Sequence, residues 1–550
     1  MRRKQPDTEK QSNNAPDHLP NQDVERKTAK SSYGEDGFKA KETYNQEYPS
    51  GLRLALLLVA LYASLFLVSL DRLIISTAIP VITDQFHSIT DVGWYGAAYQ
   101  ITSCAFQLLW GKVYSLFSVK GTFLVSILLF EIGSAICGAA PNSLALIVGR
   151  AVAGLGSGGV MSGTIVIMVY AVPLHKRPLY NGLFGAIFGI SSVAGPLLGG
   201  VFTSTVTWRW CFYINLPFGG VTILLVAYLL HVPDGESTKV PLRKKILQLD
   251  FAGITFLLPG IVCLTLALQW GGVTYPWSEG HVVALLVLTG ACFAAFALVQ
   301  VLLPDTATIS TRILYQRSIL AGLWASFCIG SQIFVYFLPI WFQAIKSVSA
   351  INSGIYLLPL ILPMFFASII SGGLISRIGY YTPFMIAGNC IMAVGAGLLT
   401  TLQVETQQGE YIGYQVLYGF GLGNMLQISN LAAQTVLQTS DIPVGVSLLS
   451  FGQQLGGAIF VSVGQTVLTN ELAGRLKGLH GFEPSMLTKV GATSLIDQLP
   501  NGIRDKAVAA YNNSLRTVFQ VGLIIVCLTM LGSIGLEWRS FPRLQTFKLA

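Results

Sequence analysis

Residues Gly182 to Gly219 read GLFGAIFGISSVAGPLLGGVFTSTVTWRWCFYINLPFG, an apolar stretch with six glycines in its first half. In a soluble helix each glycine would cost about 1 kcal/mol relative to alanine. In lipid, small residues instead let two helices approach closely enough for van der Waals contacts to hold them together. The pattern therefore predicts a membrane helix that contacts a neighbour at backbone distance. The contact motif comprises Gly195, Pro196, Gly199 and Gly200.

Two parts of this stretch resemble a known family. GISSVAGPLLGG resembles the antiporter signature on the fifth helix of drug:proton antiporters of the major facilitator superfamily, and WRWCFYINLPFG resembles the entry to the sixth helix in its fourteen-span branch. The likeness is greatest to fungal toxin and drug efflux pumps and covers about residues 52–536. It implies an all-α major facilitator fold and proton-driven export of small amphipathic molecules across the plasma membrane. The motif would then form part of a hinge or of a seal against proton leak.

Composition independently indicates a polytopic membrane protein. Of 550 residues, 52% are hydrophobic and only 11% are charged, whereas soluble domains carry about 25% charged residues. The net charge of +8 is not a nucleic-acid signature, because it resides in the membrane portion: the tail 1–50 has nine basic and nine acidic residues. The eight cysteines show no metal-ligand spacing, so we expect packing roles, no metal site and no cofactor.

Fourteen apolar stretches are each near or above the roughly 20 residues needed to cross a bilayer. They cover 52–82, 93–113, 121–140, 144–171, 181–204, 211–231, 250–271, 282–303, 318–345, 353–376, 382–402, 411–434, 442–470 and 515–536. The basic run at 243–245 separates six spans from eight, which fits the 6+2+6 plan of the resembled branch. The predicted units are a disordered cytosolic tail 1–50, a six-helix bundle 51–231, a linker 232–249, two inserted helices 250–303, a second bundle 304–536 and a tail 537–550.

Loop charges predict the orientation. If the amino terminus is cytosolic, cytosolic loops hold eleven Lys and Arg residues while short external loops hold only Arg209 and Lys346. Positive residues accumulate in cytosolic loops, so both termini are expected inside. The long external loop would be 471–514. It contains the sequon Asn512, Asn513, Ser514, which makes Asn512 a possible glycosylation site.

Charged residues inside the spans are the candidates for proton coupling, because each costs about 2.5 kcal/mol or more at mid-bilayer. Asp71 lies in LDRLIISTAIP and Arg150 in LIVGRAVAGLGSGGV, which resemble first-helix and fourth-helix motifs of the family. Low dielectric disfavours a carboxylate and a nearby guanidinium favours it, so a changing Asp71 to Arg150 distance would load and unload a proton. The alternatives are a fixed structural pair or a pair between Asp71 and Arg72. Glu131 is a further candidate for coupling or gating, or for a hydrogen-bonded structural role.

Neutral polar and aromatic side chains within the spans predict the substrate cavity. Amides and aromatic faces accept bulky, weakly polar ligands, although interhelical hydrogen bonding and lipid contact explain the same residues. The candidates are Gln107, Gln332, Gln427, Gln453, Phe334, Tyr336 and Trp341. The loop GKVYSLFSVKG, with Gly111, Lys112 and Lys120, is a candidate cytosolic gate or an orientation anchor.

Several classes are excluded or less favoured. The chain has no Walker A sequence, zinc-protease motif or nucleophile elbow, so we expect neither an ATP-driven pump nor an enzyme. A fourteen-span importer or vacuolar carrier for siderophores or basic amino acids remains an alternative, as does a non-transporting membrane sensor. The few acidic residues near the expected cavity argue against cationic substrates. We expect a monomer in the lipid bilayer whose partners are its substrate and protons.

Overall fold

The computed structural model describes residues 48–88, 91–232, 240–272, 275–304, 306–477 and 501–540. Most of the predicted tail 1–50 lies outside these residues, as do parts of the linker 232–249, of the loop 471–514 and of the tail 537–550. Every regular element within the described residues is helical. The prediction of an all-α chain is thereby confirmed for that part of the protein.

The helices form two sets joined by an inserted pair. The first set consists of α1 (Gly51–Phe86), α2 (Val92–Leu116), α3 (Val119–Ala139), α4 (Ser143–Ala171), α5 (Arg177–Thr205), α6 (Trp210–Tyr213) and α7 (Asn215–Leu229). The linker contains α8 (Leu242–Leu247), and the inserted pair is α9 (Phe251–Trp270) and α10 (Gly280–Leu302). The second set consists of α11 (Thr311–Leu314), α12 (Arg317–Ile329), α13 (Ile333–Ile345), α14 (Ala350–Ile355), α15 (Leu358–Ile378), α16 (Thr382–Leu399), α17 (Gln408–Met425), α18 (Ile428–Val436), α19 (Ile442–Leu476) and α20 (Asn501–Gly535). We call the two sets the N-terminal and C-terminal halves.

Twelve helical segments of the described chain are long and apolar enough to cross a membrane. Among the predicted spans, the two that fall short are 93–113 and 411–434, which correspond to α2 and α17 with α18. Both carry polar side chains that are fully buried in the protein, such as Gln107 on α2 and Gln415 on α17. High hydropathy is required of helix surfaces that contact lipid. A helix that is surrounded by other helices can carry more polar residues and therefore has a lower hydropathy. The count of fourteen spans stays a prediction.

Glycine brings helices together in the same way in both halves. A Cβ at Gly156 of α4 would collide with the backbone of Phe130 on α3, and a Cβ at Gly421 of α17 would collide with the backbone of Met392 on α16. Each glycine therefore permits a backbone contact that alanine would prevent. The resulting close pairs enclose separate apolar cores in the two halves.

The two halves meet along two seams, α5 with α15 and α2 with α19. Gly182 of α5 lies against the backbone of Ser368, and Gly111 of α2 lies against Ser447. Both contacts lie near the helix ends predicted to be cytosolic. Farther along α5, Gly195 and Gly199 contact α1 instead. Gly189, at the middle of α5, still contacts Ile361 of α15. We infer from these contacts that the halves are joined on the predicted cytosolic side and separate toward the predicted external side.

The inserted pair lies on the α2–α19 seam. Leu257 and Ile261 of α9 belong to an apolar cluster that also contains residues of both halves. The Ser462 hydroxyl on α19 donates to the Leu268 carbonyl at 2.8 Å. Asp250 caps the start of α9 and accepts two hydrogen bonds from Thr308, which ties the pair to the start of the C-terminal half. The insert therefore covers this seam as well as lengthening the chain.

The structure corrects the prediction for the last external loop. The helix α19 continues to Leu476 and α20 already begins at Asn501, so the bounds 471–514 are wrong; residues 478–500 lie outside the described residues. Asn512 is on α20 and only 3% exposed. Its side chain accepts from Trp341 Nε1 at 2.8 Å and donates to the Leu402 carbonyl at 3.1 Å. A glycan cannot be attached to that enclosed amide, so the glycosylation prediction is also wrong.

Candidate functional site

A buried ion pair lies at the centre of the N-terminal half. Arg150 Nη1 on α4 is 2.5 Å from Asp71 Oδ2 on α1, and the two side chains are 1% and 0% exposed. The sequence left Arg72 and Arg150 open as partners of Asp71, and the structure selects Arg150. Removing either partner would leave a buried charge uncompensated, which costs several kcal/mol.

Arg150 is held from three sides besides the carboxylate. Its Nε donates to the Tyr95 carbonyl on α2 at 2.9 Å, and its guanidinium lies over the Tyr99 ring at 4.3 Å from the centroid. The Phe212 ring is 5.9 Å away. Aromatic faces stabilise a cation through their quadrupole. The guanidinium is therefore fixed in place, and Asp71 is the partner that can change its charge.

Asn215 is a member of this site that the sequence analysis did not single out. Its Nδ2 donates to Asp71 Oδ1 at 3.2 Å and to the Ser134 hydroxyl on α3 at 3.1 Å. Asn215 is the first residue of α7 and is fully buried. It lies within WRWCFYINLPFG, so the family motif was the signal that could have identified it. The polar network consequently links five helices, α1, α2, α3, α4 and α7.

Glu131 on α3 is the second carboxyl of this half. It is 7% exposed, and neither carboxyl oxygen has a hydrogen-bond partner within the described residues. A Cβ at Gly219 of α7 would collide with this carboxyl group, so the glycine makes room for it. The hydrogen-bonded structural role considered for Glu131 finds no partner in this arrangement.

The glycine motif of α5 packs on α1 beside Asp71. A Cβ at Gly195 would lie 3.0 Å from Leu73 Cβ, and one at Gly199 would lie 2.9 Å from the Ile74 carbonyl and collide with the Thr77 hydroxyl. Gly200 has open space at the same position, so its assignment to the close contact is wrong. Pro196 lies inside α5, which continues to Thr205. The motif therefore fixes α1 through Gly195 and Gly199, next to the ion pair.

Arg72 is not part of the ion pair, although it lies within electrostatic range of Arg150. It is exposed, and it forms no hydrogen bond or ion pair within the described residues. Seven residues earlier, on the same face of α1, Leu65 is fully buried in the cluster that joins the two halves. Arg72 is two helical turns beyond that cluster. Because the contacts that join the halves lie on the side of Leu65, we assign the exposed Arg72 side chain to the central cavity between the halves.

The C-terminal half contributes a stripe of polar and aromatic side chains on a broken helix. The chain is interrupted between α12 and α13, and Gln332 there has a positive φ of 44°. Gln332 and Tyr336 are one turn apart and exposed, Tyr336 by 50%. A glutamine exposed to hydrocarbon would be costly, so we assign this stripe to the cavity. A second interruption separates α17 from α18 next to Gln427.

Two aromatic cavity candidates belong instead to the core. Phe334 is 1% exposed and its ring lies between Tyr418 at 4.8 Å and Phe519 at 5.4 Å. Trp341 is fully buried against Asn512. Both predictions are wrong in this conformation, because the buried side of α13 faces α17 and α20.

The amide candidates other than Gln332 do not all lie in the cavity. Gln107 is fully buried, donates to Ser162 at 2.6 Å and accepts from Gln454 of α19 at 3.0 Å. It thus lies in the seam between the halves and not on the cavity wall. Gln427 lines a small recess near the predicted cytosolic side with Asn181, whose amide has no partner within the described residues. Gln453 is half-buried on α19.

The candidate gate loop takes part in the same seam. Gly111 contacts Ser447, and Lys112 Nζ donates to the Ala307 carbonyl, beyond the inserted pair, at 2.9 Å. Lys120 is half-buried in the first turn of α3. Two of the three residues thus link the N-terminal half to later parts of the chain.

Comparisons with known proteins agree with this architecture. The family model described as Major Facilitator Superfamily matches residues 61–461. An MFS-type transporter of Claviceps purpurea is 49% identical over 89% of this chain and 86% of its own length. An MFS-type efflux pump of Arthroderma benhamiae is 48% identical over 93% and 98%. The solved proton:xylose symporter XylE has the same fold, with a TM-score of 0.53 at 13% identity over 88% of this chain and 99% of that structure.

Proposed function

The chain belongs to the Major Facilitator Superfamily and is a membrane transporter and not an enzyme, and on that basis we propose that it exports small amphipathic molecules in exchange for protons. We place it in the plasma membrane with both termini in the cytosol. The observation that carries the coupling part of the proposal is the Asp71–Arg150 pair, buried among helices yet one residue away from the cavity-facing Arg72.

The ion pair offers a direct coupling step. In the outward-facing arrangement a proton from the outside neutralises Asp71 and weakens its attraction to Arg150. Asn215 and the fixed contacts of Arg150 keep the site ordered meanwhile. When the cavity opens to the cytosol, the proton leaves and the charged pair forms again. A group that changes charge between two states is what an exchanger needs to transmit the proton gradient.

Glu131 supports a second proton site in the same half. A buried carboxyl without a hydrogen-bond partner is stable only in its neutral form, and the charge of Asp71 acts on it. A shift of α7 against α3 within the N-terminal half would uncover this group, because Gly219 of α7 covers it. The proton of Glu131 would then be exposed together with that of Asp71.

The family motif and the cavity account for the rest of the cycle. Contacts of Gly195 and Gly199 with α1 keep the helix that carries Asp71 against α5, which itself forms a seam with the other half. Motion at that seam therefore reaches the ion pair. The cavity stripe of amide and aromatic groups suits amphipathic molecules that stack and form few hydrogen bonds.

The test is accumulation of a fluorescent amphipathic dye in cells lacking other exporters, with and without a protonophore. We expect the wild type to lower accumulation, and the protonophore or Asp71→Asn to restore it to the level of cells without transporter. Asp84→Asn is the matched control, because Asp84 is an exposed carboxylate on the same helix and its loss should leave export unchanged. Export by the Asp71→Asn variant that still responds to the protonophore would reject the proposed coupling.

A further inference from the structure

Arg72 is a charge in the middle of the molecule that the coupling step does not use. It lies in α1 next to Asp71, but Asp71 is already neutralised by Arg150 and accepts a hydrogen bond from Asn215. Arg72 has no partner within the described residues. An unpaired guanidinium in a membrane protein is expensive unless water or a ligand reaches it. Its position therefore indicates a functional role for Arg72.

The position of Arg72 on α1 identifies what it faces. Leu73 and Thr77 pack on α5, and the Val68 carbonyl accepts from Tyr99 on α2. Arg72 lies on the face of α1 between these two contacts, within electrostatic range of Tyr99 and Cys104 of α2. Both α2 and α5 form the seams with the C-terminal half. The space between them is the central cavity, and Ser76, one turn farther along the same face, is exposed as well.

The cavity offers this arginine no counter-charge. In the middle of the described membrane helices the only carboxyl groups are Asp71, held by Arg150, and Glu131, which is enclosed beneath Gly219. The groups assigned to the opposite wall, Gln332 and Tyr336, are neutral. A guanidinium in such a setting forms strong charge-assisted hydrogen bonds with planar anions. The missing partner is therefore expected to arrive with the substrate.

We propose that Arg72 recognises an anionic group, a carboxylate or phenolate, on the exported molecule, so that the preferred substrates are amphipathic weak acids. The inference rests on the proposed export function and adds the charge of the cargo to it. The apolar body of the molecule lies against the aromatic and amide stripe of α13, while its anionic group binds Arg72.

Three probes with the same pyrenebutyl body and an anionic, neutral or cationic head group test the proposal on the full-length protein in nanodiscs: 1-pyrenebutyrate, 1-pyrenebutanol and 1-pyrenebutylamine. We expect the wild type to bind the butyrate about tenfold more tightly than the butanol, as one charge-assisted hydrogen bond provides. Arg72→Gln should erase that preference and leave butanol binding within twofold, and Arg72→Lys should retain most of it. Ser76→Ala, on the same face, is the neutral control and should keep the preference.

A second measurement does not depend on whether these probes are substrates. Ser76→Cys, with the exposed Cys390 and Cys527 changed to serine, is treated with an anionic and a cationic methanethiosulfonate reagent. Arg72 should make the anionic reagent react several-fold faster relative to the cationic one, and Arg72→Gln should abolish that ratio.

Equal or cation-favouring reaction rates in the Arg72 background would overturn the inference, as would a wild-type butyrate preference that survives Arg72→Gln. The proposed function fails separately. It fails when no dye is exported at all, whereas a wild-type protein that exports dye but shows no preference for the anionic probe overturns only the role of Arg72.

Discussion

The first and fourth helices of the N-terminal half are continuous and charged. Their counterparts in the C-terminal half are interrupted and carry no charged side chain in residues 318–345 and 411–434. Helices α1 and α4 run unbroken through Asp71 and Arg150. The corresponding segments of the other half break at Gln332, between α12 and α13, and at Gln427, between α17 and α18. Interrupted membrane helices persist only where protein or a water-filled cavity satisfies the freed backbone groups.

This difference assigns two tasks to two regions. The N-terminal half holds its charges in a network that spans five helices, so a change of protonation there alters the contacts among those helices. The C-terminal half presents amide and aromatic groups beside adjustable backbone, which suits varied ligands. We therefore attribute proton coupling to the N-terminal half and accommodation of the substrate body to the C-terminal half.

Breaking the ion pair should have the largest effect. Asp71→Asn or Arg150→Gln alone leaves one buried group unsatisfied and is expected to lower stability by about 3–5 kcal/mol. The double variant removes both charges and should recover most of the melting temperature of the purified protein without recovering coupled transport. Full coupling in the double variant would contradict the assignment of this pair to proton transfer.

The glycine contact beside the pair should come next. Gly199→Leu forces a side chain into Ile74 and Thr77 and is expected to abolish transport at near-normal expression. Gly200→Leu is the matched control, because open space surrounds that position, and it should retain most activity. Equal loss in the two variants would mean that the glycines act through helix flexibility and not through close packing on α1.

Two aromatic residues of α13 in the C-terminal half, Phe334 and Tyr336, are assigned to the core and to the cavity, respectively. Phe334→Leu removes a buried ring and should reduce stability by about 1–3 kcal/mol without altering which dyes are exported. Tyr336→Leu should leave the melting temperature nearly unchanged and shift the apparent affinity for dyes several-fold, in a dye-dependent manner. Dose-response curves of efflux with several dyes measure this, and a reversal of the two phenotypes would place the cavity on the wrong side of α13.

The smallest effect is expected at the Arg312–Asp441 ion pair of the C-terminal half. Arg312 and Asp441 are 2.5 Å apart, but the Arg312 side chain is 66% exposed. Exposed pairs contribute about 0–1 kcal/mol. Arg312→Gln should therefore change stability by less than about 1 kcal/mol and leave proton coupling intact, as judged by the same melting and efflux assays. A loss comparable to that of Asp71→Asn would remove the contrast between the halves.

The sequence was most informative where lipid and charge dictate the pattern. Long apolar runs located most helices, and Asp71 and Arg150 were identifiable because charge within a membrane span is rare. The family motif also contained Asn215, whose role became apparent only from its contact with Asp71. Which glycines touch a neighbour, Gly199 but not Gly200, depends on the orientation of α5, and hydropathy carries no information about it.

The errors in the C-terminal half have a common physical cause. The stretch 318–345 contains an interruption that no proline marks; Gly330 packs there against the Gln453 backbone of α19. Beyond this interruption Phe334 is 1% exposed and Tyr336 is 50% exposed, and the apolar pattern of the sequence does not distinguish the two sides. In a similar way α20 begins before its apolar stretch, because Asn512 is covered by Trp341 and not by lipid. Contacts between distant segments decided both cases.

The most direct measurement uses the purified protein in proteoliposomes and compares two activities of one preparation. These are exchange of labelled for unlabelled substrate without a proton gradient, and uphill movement of substrate driven by an imposed gradient. The account predicts that Asp71→Asn retains exchange, since the substrate cavity is intact, and loses gradient-driven accumulation. Gradient-driven accumulation at the wild-type level in Asp71→Asn would contradict the claim that this half couples transport to protons.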